Sequence, residues 1–168
     1  VAFASCVITL DALTALFKGG EGRRGRDAVV LEQPVAPGQV NAAQVEKVTG
    51  ALDRAVEQGA TVAGQSALPD DPALADGYWV APAVLKGVDP DADVARQEVF
   101  GPVVAATPFA DEAEALALAN GVDYGLTSAI WTSDVKRAHR LASRIEAGVV
   151  GVNDLSRGGL GVPFGGYK

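Results

Sequence analysis

The stretch VVAATPFADEAEALALANGVDYGLTSAIW, residues 103–131, sets the fold class. It begins with an apolar, partly β-branched run, Val103–Thr107, and ends with a second one, Ser128–Trp131, so both are predicted to be strands. Between them, Asp111 can cap a helix over Glu112–Ala119. A strand, a helix and another strand in this order predict a crossover between parallel strands.

A further helix and strand follow in the same pattern. Thr132 or Ser133 is predicted to open the helix, and Gly148 is predicted to close it. Its inward positions share helical spacing and are Val135, Ala138, Leu141, Ala142 and Ile145. Val149–Val152 is then predicted to be the next strand.

Strands and helices also alternate ahead of this stretch. Asn41, with Gln44 three residues later, matches a capping box at the start of a helix that ends at Gly59. The apolar face of that helix comprises Val45, Val48, Leu52, Ala55 and Val56. Val1–Ile8 is predicted to be a buried strand, whereas Glu21–Gln39 is predicted to be mostly loop. The pattern predicts an α/β fold with a largely parallel sheet and crossover helices, whose ligands bind at the carboxyl ends of the strands.

Composition narrows the classes of function. The 168-residue chain carries a formal net charge of −7, which argues against a nucleic-acid partner. No apolar run approaches the roughly 18–20 residues that span a bilayer, so we expect no membrane partner. One Cys and one His exclude an intramolecular disulfide and a structural zinc site, and no metal site is predicted. A single Cys is typical of the reducing cytoplasm, which is the predicted location.

Cys6 is the one thiol of the chain, and His139 is the one imidazole. A Cys acts as a nucleophile when a neighbouring group lowers its pKa or removes its proton. Nothing in the sequence ties His139 to Cys6. The simpler interpretation of Cys6 is a small buried residue in a strand, and a nucleophilic role is the weaker alternative.

Glu98 and Phe100 stand shortly before the predicted strand at Val103. A carboxylate there can accept two hydrogen bonds from vicinal hydroxyls, as on a ribose. An aromatic ring two residues later can offer a flat apolar face to another ring. The simpler interpretation is a solvated Glu98 and a core Phe100.

These residues belong to a set of motifs that resembles the aldehyde dehydrogenase superfamily. Gln97–Val104, with the sequence QEVFGPVV, resembles the family segment Glu-Glu-Ile-Phe-Gly-Pro-Val. Further segments match family motifs in order: Ala115–Asn120 with Tyr124–Thr127, Ile130–Asp134 with Arg137–His139, Glu146–Asn153, and Pro163–Lys168. The match is strong over 78–168, fair over 38–60 and weak over 1–37.

The resemblance implies an enzyme that oxidises an aldehyde to a carboxylic acid with NAD or NADP, through a Cys thiohemiacetal and thioester. It implies that Glu98 binds the nicotinamide-ribose hydroxyls and that Phe100 packs near the nicotinamide. Phe164 would line the aldehyde tunnel, and Asn153 would end a strand at the same mouth. Gly151 stands where many relatives carry an aromatic residue, which suggests a semialdehyde as the small-molecule substrate. A homo-oligomer of the full-length protein is implied as well.

The chain also departs from the family pattern. The family's nucleophile lies in Gly-Gln-x-Cys, and no Gly-Gln precedes Cys6. Asp11 resembles the residue that starts the family's next helix, and counting back from it places the nucleophile just before Val1. We therefore expect residues 1–168 to be a single partial catalytic domain, a fragment without the nucleotide-binding domain and inactive alone. The alternatives are a truncated, non-catalytic homologue that acts as a binding or assembly module, and an enzyme that uses Cys6.

Overall fold

The computed structural model describes residues 5–9, 28–30, 38–65, 68, 72–154, 161 and 163–168. In chain order the elements are β1 (Ser5–Thr9), β2 (Ala28–Val30), α1 (Ala42–Glu57), β3 (Thr61–Gln65), a 3-10 turn (Pro72–Leu74), β4 (Ala83–Lys86), α2 (Asp93–Arg96), β5 (Val103–Pro108), α3 (Glu112–Asn120), β6 (Thr127–Trp131), α4 (Val135–Ala142) and β7 (Val149–Val152). Two compact units contain them: the described residues within 32–107 form the first, and those within 3–31 and 108–168 form the second. Within the described part of the chain, no helix is both long enough and apolar enough to cross a membrane. The helix expected to start at Asp11 lies outside the described residues.

In the first unit, the strands are ordered β3-β4-β5. β4 and β5 are parallel, with Ala83 opposite Val103 and Lys86 opposite Ala106, whereas β3 pairs antiparallel with β4. Every residue of β3 is exposed, while Ala83 and Leu85 of β4 are buried. Alternate burial along β4 is expected for a strand that has one face on a core.

Helix α1 supplies the helical part of the first unit's core. Asn41 caps it as predicted, because its side-chain oxygen accepts a hydrogen bond from the backbone N–H of Gln44 at 2.9 Å. The buried residues of α1 are Val48, Ala51, Leu52 and Ala55. The inward prediction for Val56 was wrong, since its side chain is 48% exposed; at about 3.6 residues per turn it lies at the margin of the buried face. The helix ends at Glu57, so Gly59 follows it as predicted.

In the second unit, the strands are ordered β2-β1-β6-β7. β1, β6 and β7 are parallel, and β2 is antiparallel to β1. Helix α4 follows β6 in the chain and leads to the parallel neighbour β7, which makes it a crossover helix. These pairings confirm the largely parallel sheet with crossover helices. Within Glu21–Gln39, which was predicted to be mostly loop, the structure describes one three-residue strand, Ala28–Val30, which is too short to show an alternating pattern.

The core of the second unit lies between its helices and its strands. Helix α4 contacts β6 and β7, and α3 contacts β1. The buried cluster comprises Phe109, Ala115, Leu116, Ala119, Ile130, Leu141 and Ile145. The inward prediction holds for Ala138, Leu141 and Ile145 but was wrong for Val135, which is 67% exposed. Val135 is the first residue of α4, and the helix ends at Ala142 rather than near Gly148.

The start of α4 corrects a second prediction, because Asp134 caps the helix instead of Thr132 or Ser133. The carboxylate of Asp134 accepts hydrogen bonds from the backbone N–H groups of Lys136 at 2.9 Å and Arg137 at 3.0 Å. The hydroxyl of Thr132 accepts from the backbone N–H of Asp134 at 3.1 Å. A carboxylate suits this position better than a hydroxyl because the amino end of a helix is electropositive.

An ion-pair cluster joins α3 to α4 at the surface of the second unit. Glu112 accepts two hydrogen bonds from Arg140, both at 2.7 Å, and Nε of Arg137 lies 3.4 Å from its second oxygen. The hydrogen bonding by Arg140 is the main cause that lowers the pKa of Glu112, and the charges of Arg140, Arg137 and Arg144 lower it further. The two-pronged contact also fixes the relative geometry of the side chains.

Replacing Glu112 by Gln should lower the free energy of unfolding by roughly 0.5–1 kcal/mol near neutral pH, as for exposed ion pairs. The folded-state pKa of Glu112 lies below its ordinary value of about 4.5. Its contribution is therefore complete above that ordinary value and is lost as the pH falls through the folded-state pKa. Urea unfolding should be measured at neutral pH and at successively lower pH values. The difference in unfolding free energy between the parent protein and Glu112→Gln should shrink as the pH falls.

The matched control is Glu46→Gln, which removes an exposed carboxylate from α1. It should change the unfolding free energy little at any pH in the series. A gap for Glu112→Gln that stays constant down to acid pH would contradict the assignment.

Candidate functional site

The candidate residues of the first unit lie in the segment Glu98–Gly101, between α2 and β5. Phe100 adopts the left-handed backbone conformation, with φ of 57°, and its side chain is 42% exposed. A bulky residue rarely takes this conformation and keeps it only where the surroundings fix it. The interpretation of Phe100 as a core residue was therefore wrong, while Glu98 is half-buried.

The first two turns of α1 hold this segment through side-chain donors. The amide nitrogen of Gln44 donates to the carbonyl oxygens of Val99 at 2.9 Å and Phe100 at 3.0 Å. Nζ of Lys47 donates to the carbonyl oxygen of Glu98 at 3.0 Å. The same ammonium lies 5.4 Å from the centroid of the Phe100 ring, within the range of a cation–π contact. Each carbonyl from Glu98 to Phe100 thus has a donor from the helix.

Gln44 departs from the capping box that the sequence predicted. In that motif, the side chain at this position reaches back to the backbone N–H of the cap residue. Here the bond from the backbone of Gln44 to Asn41 forms, but the side chain of Gln44 donates to Val99 and Phe100 instead. Gln44 therefore takes part in the cap of α1 through its backbone and holds the Glu98–Gly101 segment through its side chain.

Gly101 brings the main chain after Phe100 directly against α1. A Cβ added to Gly101 would lie 2.5 and 2.7 Å from the two methyl carbons of Val48, which is fully buried. Real Cβ atoms do not approach methyl groups so closely, and a core side chain has little room to yield. The position of Phe100 consequently depends on the packing of α1.

In the second unit, Asn153 lies at the carboxyl ends of two parallel strands. It follows β7, has φ of 52°, and donates its backbone N–H to Ile130 at 2.8 Å. Its side-chain oxygen accepts from the backbone N–H of Thr132 at 2.9 Å, and its side-chain nitrogen donates to the carbonyl of Thr132 at 2.9 Å. The amide therefore fixes the chain just beyond β6 and β7, and Asn tolerates the left-handed conformation better than most residues.

Phe164 lies in the segment Pro163–Lys168 of the second unit, and its side chain is 46% exposed. Within that segment, Lys168 donates from Nζ to the carbonyls of Asn120 at 2.6 Å and Val122 at 2.7 Å. The structure therefore groups Glu98 with Phe100 in the first unit and places Asn153 and Phe164 in the second.

The remaining candidates lie elsewhere. Cys6 is the second residue of β1, opposite Ser128, so it precedes the carboxyl end of its strand at Thr9. His139 is exposed on α4. Any side chain at Gly151 would clash with the backbone, because the carbonyl oxygen of Asp154 occupies the space that a Cβ would need. Over the described ranges, no group of three or more His, Cys, Asp or Glu could hold a metal ion.

Sequence reasoning missed the anchoring residues Gln44, Lys47 and Lys168. Each acts on carbonyl groups that are distant in the chain: Gln44 and Val99 are 55 residues apart, and Lys168 and Asn120 are 48 apart. No local pattern reports such contacts. Gln44 was noted as a capping-box residue, but that pattern predicts a side-chain bond to the cap residue and not to Val99 or Phe100.

Comparison with known proteins supports the fold and the motifs. A sequence model of the aldehyde dehydrogenase family matches residues 30–168. The chain is 44% identical over 126 residues to 4-trimethylaminobutyraldehyde dehydrogenase A of Danio rerio, covering 74% of the chain and 25% of that protein. It is 48% identical over 124 residues to 2-hydroxymuconic semialdehyde dehydrogenase of Pseudomonas putida, covering 73% and 26% respectively.

A solved structure shows the same likeness in three dimensions. The NAD+ complex of an aldehyde dehydrogenase from Bacillus cereus matches with a TM-score of 0.70 at 36% identity, covering 78% of this chain and 26% of that one. The predicted α/β fold is thereby confirmed. The chain spans about a quarter of the length of the relatives it matches.

Gln44→Glu tests the hold of α1 on the Glu98–Gly101 segment, because it keeps the side-chain size and removes the donor. The new charge favours the helix start by roughly 0.3–1 kcal/mol but faces two carbonyl oxygens. We expect a net loss of about 1 kcal/mol in unfolding free energy. Amide hydrogen exchange followed by mass spectrometry should become faster over 98–103.

Glu46→Ala, on the exposed side of the same helix, is the control and should leave exchange over 98–103 unchanged. Unchanged exchange in the Gln44→Glu protein would show that the hydrogen bonds to Val99 and Phe100 do not hold the segment.

Proposed function

The chain belongs to the aldehyde dehydrogenase family, and we propose that it contributes to a protein that oxidises an aldehyde to a carboxylic acid with NAD or NADP. The observation that carries this proposal is the segment Glu98–Phe100, which α1 holds with its aromatic ring exposed. The single partial catalytic domain over residues 1–168, the homo-oligomer and the cytoplasmic location remain predictions.

The segment fits a nicotinamide riboside. The exposed ring of Phe100 offers an apolar face to a flat heteroaromatic ring. Glu98, two residues earlier and half-buried, can accept hydrogen bonds from both vicinal hydroxyls of a ribose. When bound, NAD(P)+ would supply the hydride acceptor. The role of Phe100 and Glu98 would be to hold the nicotinamide end in one orientation, which is a large part of what an active site contributes to rate.

On the second unit, we propose that Phe164 lines the aldehyde side, since its ring is exposed and carried by a docked segment. Asn153 would shape the aldehyde side by fixing the backbone there, because its side-chain oxygen and nitrogen both hydrogen-bond the backbone of Thr132. A semialdehyde is the proposed substrate class. The name of the Pseudomonas putida relative, 2-hydroxymuconic semialdehyde dehydrogenase, supports it.

A truncated, non-catalytic homologue that binds or assembles is the competing proposal. The two proposals differ in turnover, so the protein that carries these residues should be assayed for NADH formation with aldehydes at 340 nm. Aldehyde-dependent absorbance supports the oxidising enzyme. Saturable NAD+ binding with no absorbance change under any aldehyde would favour the binding module.

Glu98→Gln should weaken use of the cofactor more than use of the aldehyde. Gln retains one acceptor oxygen but loses the charge, and hydrogen bonds to charged groups contribute about 1.5–3 kcal/mol. We expect KM for NAD(P)+ to rise roughly tenfold or more, with KM for the aldehyde nearly unchanged. Glu57→Gln, an exposed change on α1, is the control. An equal rise of both KM values would contradict the assignment of Glu98.

Cys6→Ser tests whether the single thiol of this chain is the nucleophile. A family mechanism through a thiohemiacetal and thioester needs a thiolate, yet Cys6 precedes the carboxyl end of β1. We expect turnover to stay within about twofold of the parent protein, because a residue outside the reacting centre has no share in the chemical step. Iodoacetamide should inactivate both proteins alike. Loss of turnover in a folded Cys6→Ser protein, shown by circular dichroism, would reinstate Cys6.

A further inference from the structure

Lys168 has a complete set of partners in the second unit. Its Nζ donates to the carbonyl oxygens of Asn120 at 2.6 Å and Val122 at 2.7 Å, and it lies 3.1 Å from Oε2 of Glu146. The ammonium thus donates two hydrogen bonds to carbonyl oxygens and forms an ion pair with a carboxylate. The side chain is 21% exposed. Lys168 is therefore an anchored group and not a mobile surface charge.

The location of the ammonium explains why a cation is favoured there. Asn120 is the last residue of α3, and the carbonyl groups of a final helical turn lack partners within the helix. Those carbonyls also form the negative end of the helix dipole. The carboxylate of Glu146 adds a full negative charge on the same ammonium.

Asn120 links the anchor to the chain that follows α4. Its side-chain nitrogen donates to the carbonyl of Arg144 at 3.0 Å, and its side-chain oxygen accepts from the backbone N–H of Glu146 at 2.9 Å. The residue that positions Glu146 thus also offers its own carbonyl to Lys168. Three of the sequence motifs therefore meet around the ammonium of Lys168. They are the motif that ends at Asn120, the one that starts at Glu146 and the one that ends at Lys168.

The backbone next to Lys168 is fixed as well. The N–H of Tyr167 donates to the carbonyl of Gly125 at 2.9 Å, and the same carbonyl accepts from the N–H of Gly148 at 2.9 Å. The segment Pro163–Lys168 is thereby hydrogen-bonded to the residues that precede β6 and β7. Phe164 belongs to this segment.

We propose that Lys168 is a positioning residue for the aldehyde side of the site: its ammonium docks the segment Pro163–Lys168 and thereby holds the ring of Phe164. The inference rests on the proposed function, which gives Phe164 its substrate-side role. The ammonium of Lys168 is held by two carbonyl oxygens and the carboxylate of Glu146, so it acts through Phe164 and not on the aldehyde.

Hydrogen exchange tests the docking without reference to activity. In the protein that carries this chain, Lys168→Met should speed exchange of the Tyr167 amide roughly tenfold or more, because local opening then costs less. Glu146→Gln removes the charge but keeps both carbonyl partners, so its effect should be smaller. Lys136→Met, which removes an exposed lysine of α4, is the matched control and should leave Tyr167 unchanged. Unchanged exchange in Lys168→Met would overturn the docking.

A double-mutant cycle tests the link to Phe164. Lys168→Met should lower kcat/KM for the aldehyde roughly ten- to hundredfold, as expected for a misplaced substrate contact, with the Kd for NAD+ unchanged. Phe164→Ala should also lower it, and adding Lys168→Met to Phe164→Ala should lower it little further. Equal losses from Lys168→Met in both backgrounds would overturn a role through Phe164.

A second variant decides the matter if Lys168→Met does not fold. Lys168→Arg keeps the charge, but a planar guanidinium cannot direct donors from one nitrogen to three acceptors around it. Exchange at Tyr167 should rise and aldehyde kcat/KM should fall, and parental values for both would overturn the proposal. A parent protein without aldehyde turnover would sink the proposed function, whereas the exchange experiment would still decide the docking.

Discussion

The carbonyl groups of irregular backbone need hydrogen-bond donors, and this need explains the anchoring contacts within each unit. A segment outside a helix or strand lacks the regular backbone ladder, so turns, side chains or water must supply donors to its carbonyls. In the first unit, Gln44 and Lys47 supply donors to the carbonyls of Glu98–Phe100. In the second unit, Asn153 and Lys168 do the same for the ends of β6 and α3.

This arrangement separates the groups that hold the site from the groups that face outward. With its carbonyls bonded to α1, the segment around Phe100 can keep a left-handed conformation that a bulky residue rarely adopts. The strain is offset by packing of Gly101 on Val48 and by the hydrogen bonds from Gln44. The aromatic ring remains exposed, as the role proposed for Phe100 requires.

The sequence predicted the regular elements well because their signals are local. The cap at Asn41 and the strand–helix–strand order over 103–131 depend on neighbours within a few residues, and the structure contains them. The cap of α4 was misplaced by one or two residues, because several polar residues in a row can cap and only the geometry selects Asp134. The burial errors at Val56 and Val135 arose at the margins of helices, where spacing alone does not decide exposure.

For the candidate residues, too, the sequence showed what depends on local motifs and missed what depends on distant contacts. Glu98 and Phe100 were raised by their position before a strand, and the resemblance gave Glu98, Phe100 and Phe164 their expected roles, because a motif records residue identity and order in the chain. The residues that anchor their backbones were not found, since Gln44 and Lys168 act across 55 and 48 residues respectively. A motif that ends in lysine suggests chemistry at the ammonium, yet here the ammonium of Lys168 donates to two carbonyl oxygens and forms an ion pair with Glu146. The role of a motif residue therefore becomes clear only when its partners are known. The partners of Lys168 are mainly backbone carbonyls, so we infer that it holds the backbone in place.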